Sequence, residues 1–389
     1  MSRYHSYLNS AKEILSICDG SEPFASFLKK YFAQHKKFGS KDRKQISHLC
    51  YCYFRLGKAL TDLPIEERIV TGLFLNSTKP NEILTALKPE WNEKVDISIL
   101  KKCSMFSDRL SMLNVFPWAD ELSEGIDHEK FCGSFFAQPD LFLRLRPGKE
   151  NIVKKKLNKE GIDFKIISDS CLALDNATKI DSIIELDKEA VVQDHTSQQI
   201  GTFFRLVTDN QQPVTRIWDC CAGSGGKSIM LYDLDSKIEL TVSDIRESIL
   251  INLKKRFKQA GISKYKSFTA DLNYGSRFAN HDFDLIVADI PCTGSGTWSR
   301  TPEQLFYFDD SSIEKFSVLQ KKIVSNVISY LKPGGYFLYI TCSVFKKENE
   351  EVVNFMKEKF NLELVKMEAL KGYDKKADTM FGALLRKKL

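Results

Sequence analysis

Two cysteines stand where apolar runs that read as strands come to an end, Cys292 in A-D-I-P-C-T-G-S-G and Cys342 in Y-I-T-C-S. Thiolates are nucleophiles that form covalent intermediates with electron-poor carbon. Both follow a glycine-rich loop, W-D-C-C-A-G-S-G-G-K-S at 218–228. Such loops open nucleotide-binding α/β domains and hold a cofactor on backbone N–H groups. The grouping predicts covalent thiol chemistry beside a bound nucleoside cofactor.

The loop is a near miss for a phosphate-binding loop of the G-x-x-x-x-G-K-[ST] kind. Gly226, Lys227 and Ser228 fit it, but its first glycine would fall on Cys221. An NTPase stays open as an alternative. Asp219 and Asp244, expected at the ends of the first two strands of the domain, favour another ligand. A carboxylate at the second strand's tip can accept both hydroxyls of an unphosphorylated ribose, which suits S-adenosylmethionine or a dinucleotide. Asp271, after the third strand, can accept from an adenine amino group, and the competing reading is a simple helix cap. The expected cofactor set is Cys221, Ala222, Gly223, Ser224, Gly225, Gly226, Lys227, Asp244, Asp271 and Asp289.

The fourth strand delivers Asp289 and Cys292, and the fifth Thr341 and Cys342, to the crevice where doubly wound sheets bind ligands. A single proline precedes Cys292, where amino-group methyltransferases often carry Asp/Asn-Pro-Pro-aromatic, which argues against methylation of an exocyclic nitrogen. Inert packing is the plain alternative for either thiol. A zinc site from Cys220, Cys221, Cys292 and Cys342 would lack ordinary ligand spacing and a histidine, so no metal is expected.

Elements must hold these groups in place, and 389 residues suggest two or three domains. A hydrophobic fraction of 43% and a charged fraction of 28% describe an ordinary globular protein. No run of about 18 apolar residues and no charged-then-apolar N-terminal segment occurs, so a cytoplasmic protein away from membranes is expected. The ten cysteines form no C-x-x-C pair and should be free thiols in a reducing compartment. The net charge of +6 is uneven: Lys29, Lys30, Lys36, Lys37, Lys41, Arg43 and Lys44 face only Asp42 across 29–44. That run suits either a solvated helical face or a nucleic-acid contact.

Apolar residues at helical spacing predict helices through 1–115. Strands are expected at 141–146, 164–167, 171–174 and 190–192, with a Lys-rich helix at 149–160. A helix over 196–206 precedes strands at 214–219, 238–244, 266–270, 283–289 and 335–341. Helices at 226–233, 246–260 and 312–331 lie between most of these, and strands at 362–367 and 381–387 close the chain. This is the rhythm of a parallel sheet covered on both faces.

The motifs F-L-R-L-R-P at 142–147, V-Q-D-H-T-S-Q-Q at 192–199 and D-C-C-A-G-S-G-G-K-S, with D-I-P-C-T-G-S-G-T-W-S-R-T-P-E at 289–303, resemble the Sun/Fmu family of RNA cytosine-carbon-5 methyltransferases. Y-I-T-C-S-V-F-K-K-E-N-E-E at 339–351 and M-F-G-A-L-L-R-K in the tail extend the resemblance, which covers about 130–389. D-R-K-Q-I-S-H-L-C-Y-C-Y-F-R-L-G at 42–57 resembles the NusB-like helical domain of the bacterial ribosomal RNA members. Gly223 and Ser224 stand where the family usually has Ala-Pro, and Ile249 stands where an arginine is common.

The resemblance implies a Rossmann-like, S-adenosylmethionine-dependent α/β methyltransferase domain at 201–389. A small α+β RNA-contacting module at 128–200 and an all-α, NusB-like RNA-binding domain at 1–120 precede it. It makes Cys342 the nucleophile toward carbon 6 of cytosine, Asp289 the holder of the base's pairing edge, and Cys292 the helper in later steps. Lys227 adds positive charge nearby. From chemistry alone the two thiols can exchange roles. The base must come from a loop or be flipped out of its stack. Arg144, Arg146, Lys154, Lys155, Lys156 and Arg300 are expected phosphate contacts. The expected substrate is 16S ribosomal RNA, with the protein acting as a monomer. The alternatives are a transfer RNA enzyme and a non-catalytic RNA-binding protein of the same fold.

Overall fold

The computed structural model describes residues 3–106, 111–208, 215–275 and 282–389. They fall into two compact units. The first joins Met1–Asp120, Asp127–Gln138 and Thr297–Asp309; the second joins Glu121–Ile126, Pro139–Gly296 and Asp310–Leu389.

The first unit is helical. Its longest helices are Arg3–Ile17, Phe24–Gln34, Ser40–Arg55 and Ile65–Asn76. The apolar spacing in Q-I-S-H-L-C-Y-C-Y-F-R-L buries Ile46, Leu49, Cys50 and Phe54. Asn81 caps the next helix by accepting from Leu84 N, and Pro89 opens another at its first position, where its missing N–H costs nothing. Residues 297–309 belong here although they follow Cys292 in sequence. Trp298 is fully buried, Glu303 Oε1 accepts from Phe24 N, and the Tyr307 hydroxyl donates to the Cys18 carbonyl at 2.6 Å.

The second unit contains two sheets. β1 (Leu141–Leu145), β2 (Phe164–Ser168), β3 (Cys171–Leu174) and β4 (Ala190–Val192) form an antiparallel sheet of order β2-β3-β1-β4. Alternation along β1 turns Leu143 and Leu145 toward Val153 and Leu157 of helix Glu150–Lys159. Phe142 belongs to a separate cluster with Cys171, Ala173 and Ala377.

β5 (Arg216–Asp219), β6 (Glu239–Asp244), β7 (Tyr265–Thr269), β8 (Phe283–Asp289), β9 (Leu331–Thr341), β10 (Leu362–Leu370) and β11 (Met380–Lys387) form the large sheet, in the order β10-β11-β9-β8-β5-β6-β7. β7 through β9 run parallel, while β11 pairs antiparallel with β9 and with β10. Phe203, Leu253 and Phe257 contribute to one apolar cluster and Ile323, Val352 and Met356 to another, from helices preceding and following the early and late strands. This is the doubly wound α/β architecture expected.

Position 214 of the expected strand 214–219 lies outside the described residues. Two boundaries shift. The helix expected over 196–206 is two, His195–Gln199 and Gly201–Thr208. The helix expected to 331 ends at Val327, and β9 starts at Leu331 instead of 335. Leu331 pairs with Phe283, the ladder is then interrupted, and Tyr336 pairs with Leu285. Gly334, at φ +77°, lies in this interruption, so a segment that reads as a turn is a bulge inside the strand. No helix among the described residues is long and apolar enough to cross a membrane.

Candidate active site

The sheet reverses its winding between β5 and β8, which are parallel neighbours, and this is where such sheets open a crevice at their carboxyl ends. β5 ends on Asp219 and β8 on Asp289. Between β5 and the helix Gly226–Leu234 runs the glycine loop. Ala222 N donates to Ser243 O at 2.9 Å and Gly225 N to Ala222 O at 2.9 Å. Gly225, at φ +86°, approaches Phe257 so closely that a Cβ would fall 2.7 Å from its ring. Gly223 lies at φ +52°, and a Cβ there or at Gly226 would meet no protein atom within 4 Å. One side of the loop is therefore packed and the other faces open space, as a cradle for a cofactor requires.

Asp244, at the end of β6, is buried. Its Oδ2 accepts from Gly223 N at 3.0 Å, and its Oδ1 accepts from Arg246 N at 2.9 Å and from Arg246 Nε at 3.1 Å. Besides Gly223 N, Oδ2 has only a long 3.5 Å contact from Arg246 Nη2, so the carboxylate can hold the loop and still accept from a ribose. Asp271 caps a short 3-10 turn by accepting from Asn273 N at 3.0 Å. The helix-cap reading is thus realised at Asp271, which leaves its other oxygen as the group that could meet an adenine.

Lys227 Nζ donates to Asp289 Oδ2 at 2.6 Å, and the two side chains are 12% and 31% exposed. Burial alone would lower the lysine's pKa. The charge and hydrogen bond of Asp289, with Cys342 and Asp219 nearby, outweigh it and push the value up, so the ammonium persists. Asp219 is buried, with Oδ2 accepting from Ser228 Oγ at 2.6 Å and Oδ1 lacking a protein partner. Burial raises its pKa to about 7, with Asp289 and Asp244 adding to the rise against Ser228 and Lys227. In a phosphate-binding loop the lysine would reach phosphates and the serine a magnesium ion. Here both are committed to aspartates, which disfavours the NTPase alternative.

The two thiols meet: Cys292 Sγ and Cys342 Sγ are 3.3 Å apart. β8 and β9 are parallel neighbours, and the loop after β8 folds back on the start of the loop after β9. Gly296 N donates to the Cys342 carbonyl at 2.8 Å, and Val344 N donates to Ser295 Oγ at 2.9 Å. A Cβ at Gly296 would lie 1.9 Å from the Thr379 carbonyl, so only glycine permits this approach. The hydrogen bond to Cys342, burial and the charge of Cys342 push the Cys292 thiol well above its ordinary range. At this separation either sulfur can donate to the other, so the pair shares a proton.

Glu348, buried beneath both loops, was given no role from sequence. Its Oε1 accepts from Thr293 Oγ1 at 2.6 Å and Ser343 Oγ at 2.5 Å; its Oε2 accepts from Thr293 N at 2.9 Å and Gln320 Nε2 at 3.0 Å. Thr293 and Ser343 each directly follow one of the two cysteines, so one carboxylate fixes both. Asn349 extends the network, its Oδ1 accepting from Thr341 Oγ1 at 2.6 Å. Glu348→Gln keeps the volume but turns one acceptor into a donor facing donors. The expected loss is about 1–3 kcal/mol of stability, read as a lower urea midpoint with an unchanged slope.

The structure brings together Cys342, Cys292, Asp289, Lys227 and the loop from Cys221 to Gly226. It commits Arg144 and Arg146 to other partners. Arg144 is buried, its Nη1 2.5 Å from Asp233 Oδ2 and its Nε 2.7 Å from Gln193 Oε1. Arg146 holds Asp233 Oδ1 through Nε and Nη2 and donates Nη1 to the carbonyls of Asp187 and Ala260. Guanidiniums committed to a buried carboxylate and carbonyls are structural, which corrects the phosphate-contact expectation for both. Lys156 pairs with Glu189 at 2.8 Å. Arg300 is half-buried in the helical unit.

Residues 206–384 match the family described as 16S rRNA methyltransferase RsmB/F. The chain is 30% identical over 169 residues to the ribosomal RNA small subunit methyltransferase B of Shewanella oneidensis, a match covering 43% of this chain and 38% of that protein. It thus spans well under half of that relative's length. Among solved structures, that of PH0851 superposes with a TM-score of 0.69 at 18% identity, covering 99% of this chain and 98% of that one. The methyltransferase homologue protein from Pyrococcus horikoshii superposes at 0.57 with 21% identity, covering 76% and 97%. At these identities the structural likeness is one of fold, and the fold is that of the Rossmann-like methyltransferases.

Proposed function

We propose that this chain is a member of the Sun/Fmu family and an S-adenosylmethionine-dependent RNA cytosine-5 methyltransferase acting on 16S ribosomal RNA, a reading supported by the family match at 206–384. The observation that carries this reading is the pair of sulfurs 3.3 Å apart, on the strand ends beside the Lys227–Asp289 pair. The open side of the loop at Gly223 and Gly226, with Asp244 beside it, fits a nucleoside cofactor. When bound, S-adenosylmethionine supplies an electrophilic methyl group.

Carbon 5 of cytosine is a poor nucleophile until a thiolate adds to carbon 6 and turns the ring into an enamine. Cys342 forms that sulfur–carbon bond. Lys227 and Asp289 hold the base's polar edge, the aspartate stabilising the proton on the ring nitrogen as charge develops there. After carbon 5 is methylated, its proton leaves to a base or to water and the sulfur–carbon bond breaks. Cys292, 3.3 Å from it, donates to and so stabilises the departing Cys342 sulfur. The exposed lysines 29, 30, 36, 37, 41 and 44 of the helical unit supply phosphate contacts, as a basic surface does on RNA.

The test is incubation with isotopically labelled S-adenosylmethionine and either 16S ribosomal RNA or transfer RNA, followed by digestion to nucleosides and mass spectrometry. Labelled 5-methylcytidine from 16S RNA is expected. A label on another nucleoside, or on transfer RNA alone, would overturn the chemistry or the substrate respectively.

A further inference from the structure

The cofactor loop is intrinsically loose. Three of its four residues at 223–226 are glycines, Gly223 and Gly225 sit at positive φ, and Gly223 and Gly226 have open space where a side chain would be. Glycine loses more backbone freedom on ordering than any other residue. A ligand that binds such a loop bears the cost of ordering it unless the protein has done so beforehand. The non-glycine residue is Ser224, and its partner is Arg256.

Arg256 lies on helix Glu247–Ala260, the helix whose Leu253 and Phe257 sit against Gly225. Its Nη1 donates to Ser224 O at 3.0 Å and to Ser224 Oγ at 2.8 Å. On its other side Nε donates to Asp187 Oδ1 at 3.0 Å and Oδ2 at 2.9 Å, while Nη2 donates to Asp187 Oδ1 at 2.7 Å. The two side chains are only 17% and 9% exposed, so neither is a loosely tethered surface charge. A planar guanidinium gripped by a carboxylate along one edge has its remaining N–H directions fixed, and here one of them fixes the loop.

Asp187 is itself held from both directions. It lies just before β4 at φ +64°, its N–H donates to Ala190 O at 2.7 Å, and its carbonyl accepts from Arg146 Nη1 at 3.0 Å. Arg146 and Arg144 both grip Asp233 near the far end of helix Gly226–Leu234. The small sheet therefore holds the helix that the loop opens at Asp233, and the loop itself at Ser224. Arg144 and Arg146, expected on RNA, belong to this frame.

We propose that Arg256 and Asp187 are positioning residues for the cofactor: together they pre-set the loop at Ser224, so that its backbone is ordered before the nucleoside cofactor arrives. This rests on the cofactor assignment above but not on the RNA substrate or the thiol chemistry.

The test is calorimetric titration of the full chain with S-adenosylhomocysteine, alongside hydrogen exchange of the loop peptide in the ligand-free protein. Arg256→Met is expected to weaken binding about tenfold and to speed exchange across 222–226. Asp187→Asn, which keeps the shape and removes the charge, should act in the same direction with a smaller effect. Ser224→Ala loses the hydroxyl contact and keeps the carbonyl one, so it should cost less than Arg256→Met. Arg256→Lys, which cannot span both partners, should not restore full affinity. The proposal is overturned if the folded variants bind as the wild type does and their loops exchange at the wild-type rate. If the wild type itself failed to bind the probe, the cofactor assignment would fall, and unchanged loop exchange in Asp187→Asn and Arg256→Met would independently reject the positioning role.

Discussion

Cys342→Ala, incubated with RNA and S-adenosylmethionine, should give neither methylated product nor a protein–RNA adduct that survives denaturation, whereas Cys292→Ala should accumulate that adduct. The asymmetry follows from the roles that the family resemblance gives the pair. With the sulfurs 3.3 Å apart, Cys342 is taken as the one that attacks and Cys292 as its neighbouring proton donor. Without Cys342 no enamine forms, and the expected loss of activity is complete within detection. Without Cys292 the attack and the methyl transfer remain possible, but the Cys342 sulfur must leave without a proton donor beside it. Release becomes the slow step and the bond to RNA persists. Two thiols that merely packed would produce similar small losses of stability and no adduct from either variant. A denaturing gel with labelled RNA separates these outcomes. An adduct from Cys342→Ala alone would reverse the roles, and its absence from both would count against covalent catalysis.

The meeting of the thiols also shows where sequence reading reaches its end. The two cysteines, Asp289 and the glycine loop were legible because each sits at the end of a continuous apolar run, and parallel strands deliver their carboxyl ends to one edge. That the two sulfurs touch depends on residues fifty positions apart in sequence. Glu348 and Asn349 lie in the charged run K-K-E-N-E-E. Yet both are fully buried, because their partners come from the loops that carry the cysteines. Arg144 and Arg146 show the opposite error. A basic residue beside a strand reads as a phosphate contact, and no periodicity announces that Asp233, nearly ninety residues on, lies within reach. Arg256 was hidden in the same way among Lys254, Lys255 and Lys258. Residues 297–309 follow the Cys292 segment in the chain but pack in the helical unit, which local pattern cannot reveal.

Lys227→Met should lower the rate of adduct formation at neutral pH by about 100-fold, on the scale of removing one preorganised electrostatic group from a catalytic site, while the affinity for S-adenosylhomocysteine changes less. Burial opposes the lysine's charge, and Asp289, its partner at 2.6 Å, is the chief reason that the charge survives with a raised pKa. Cys342 is among the groups that favour the ammonium, and the interaction is reciprocal, so the ammonium favours a negative sulfur at Cys342. Removing the cation makes thiolate formation harder. Because a thiolate is gained as pH rises, the variant should recover part of its rate in alkaline buffer. Asp289→Asn tests the same pair from the other side. It keeps the shape, removes the charge that holds up the lysine's pKa and leaves burial to lower it, so the ammonium is lost at a lower pH than in the wild type. Its activity should therefore fall at neutral pH and decline further, not recover, as pH rises. Opposite responses of the two variants to alkali, measured as initial rates of adduct formation in single-turnover reactions, are the expected result. Parallel responses would mean that the pair serves only to hold the loop and the end of β8 together.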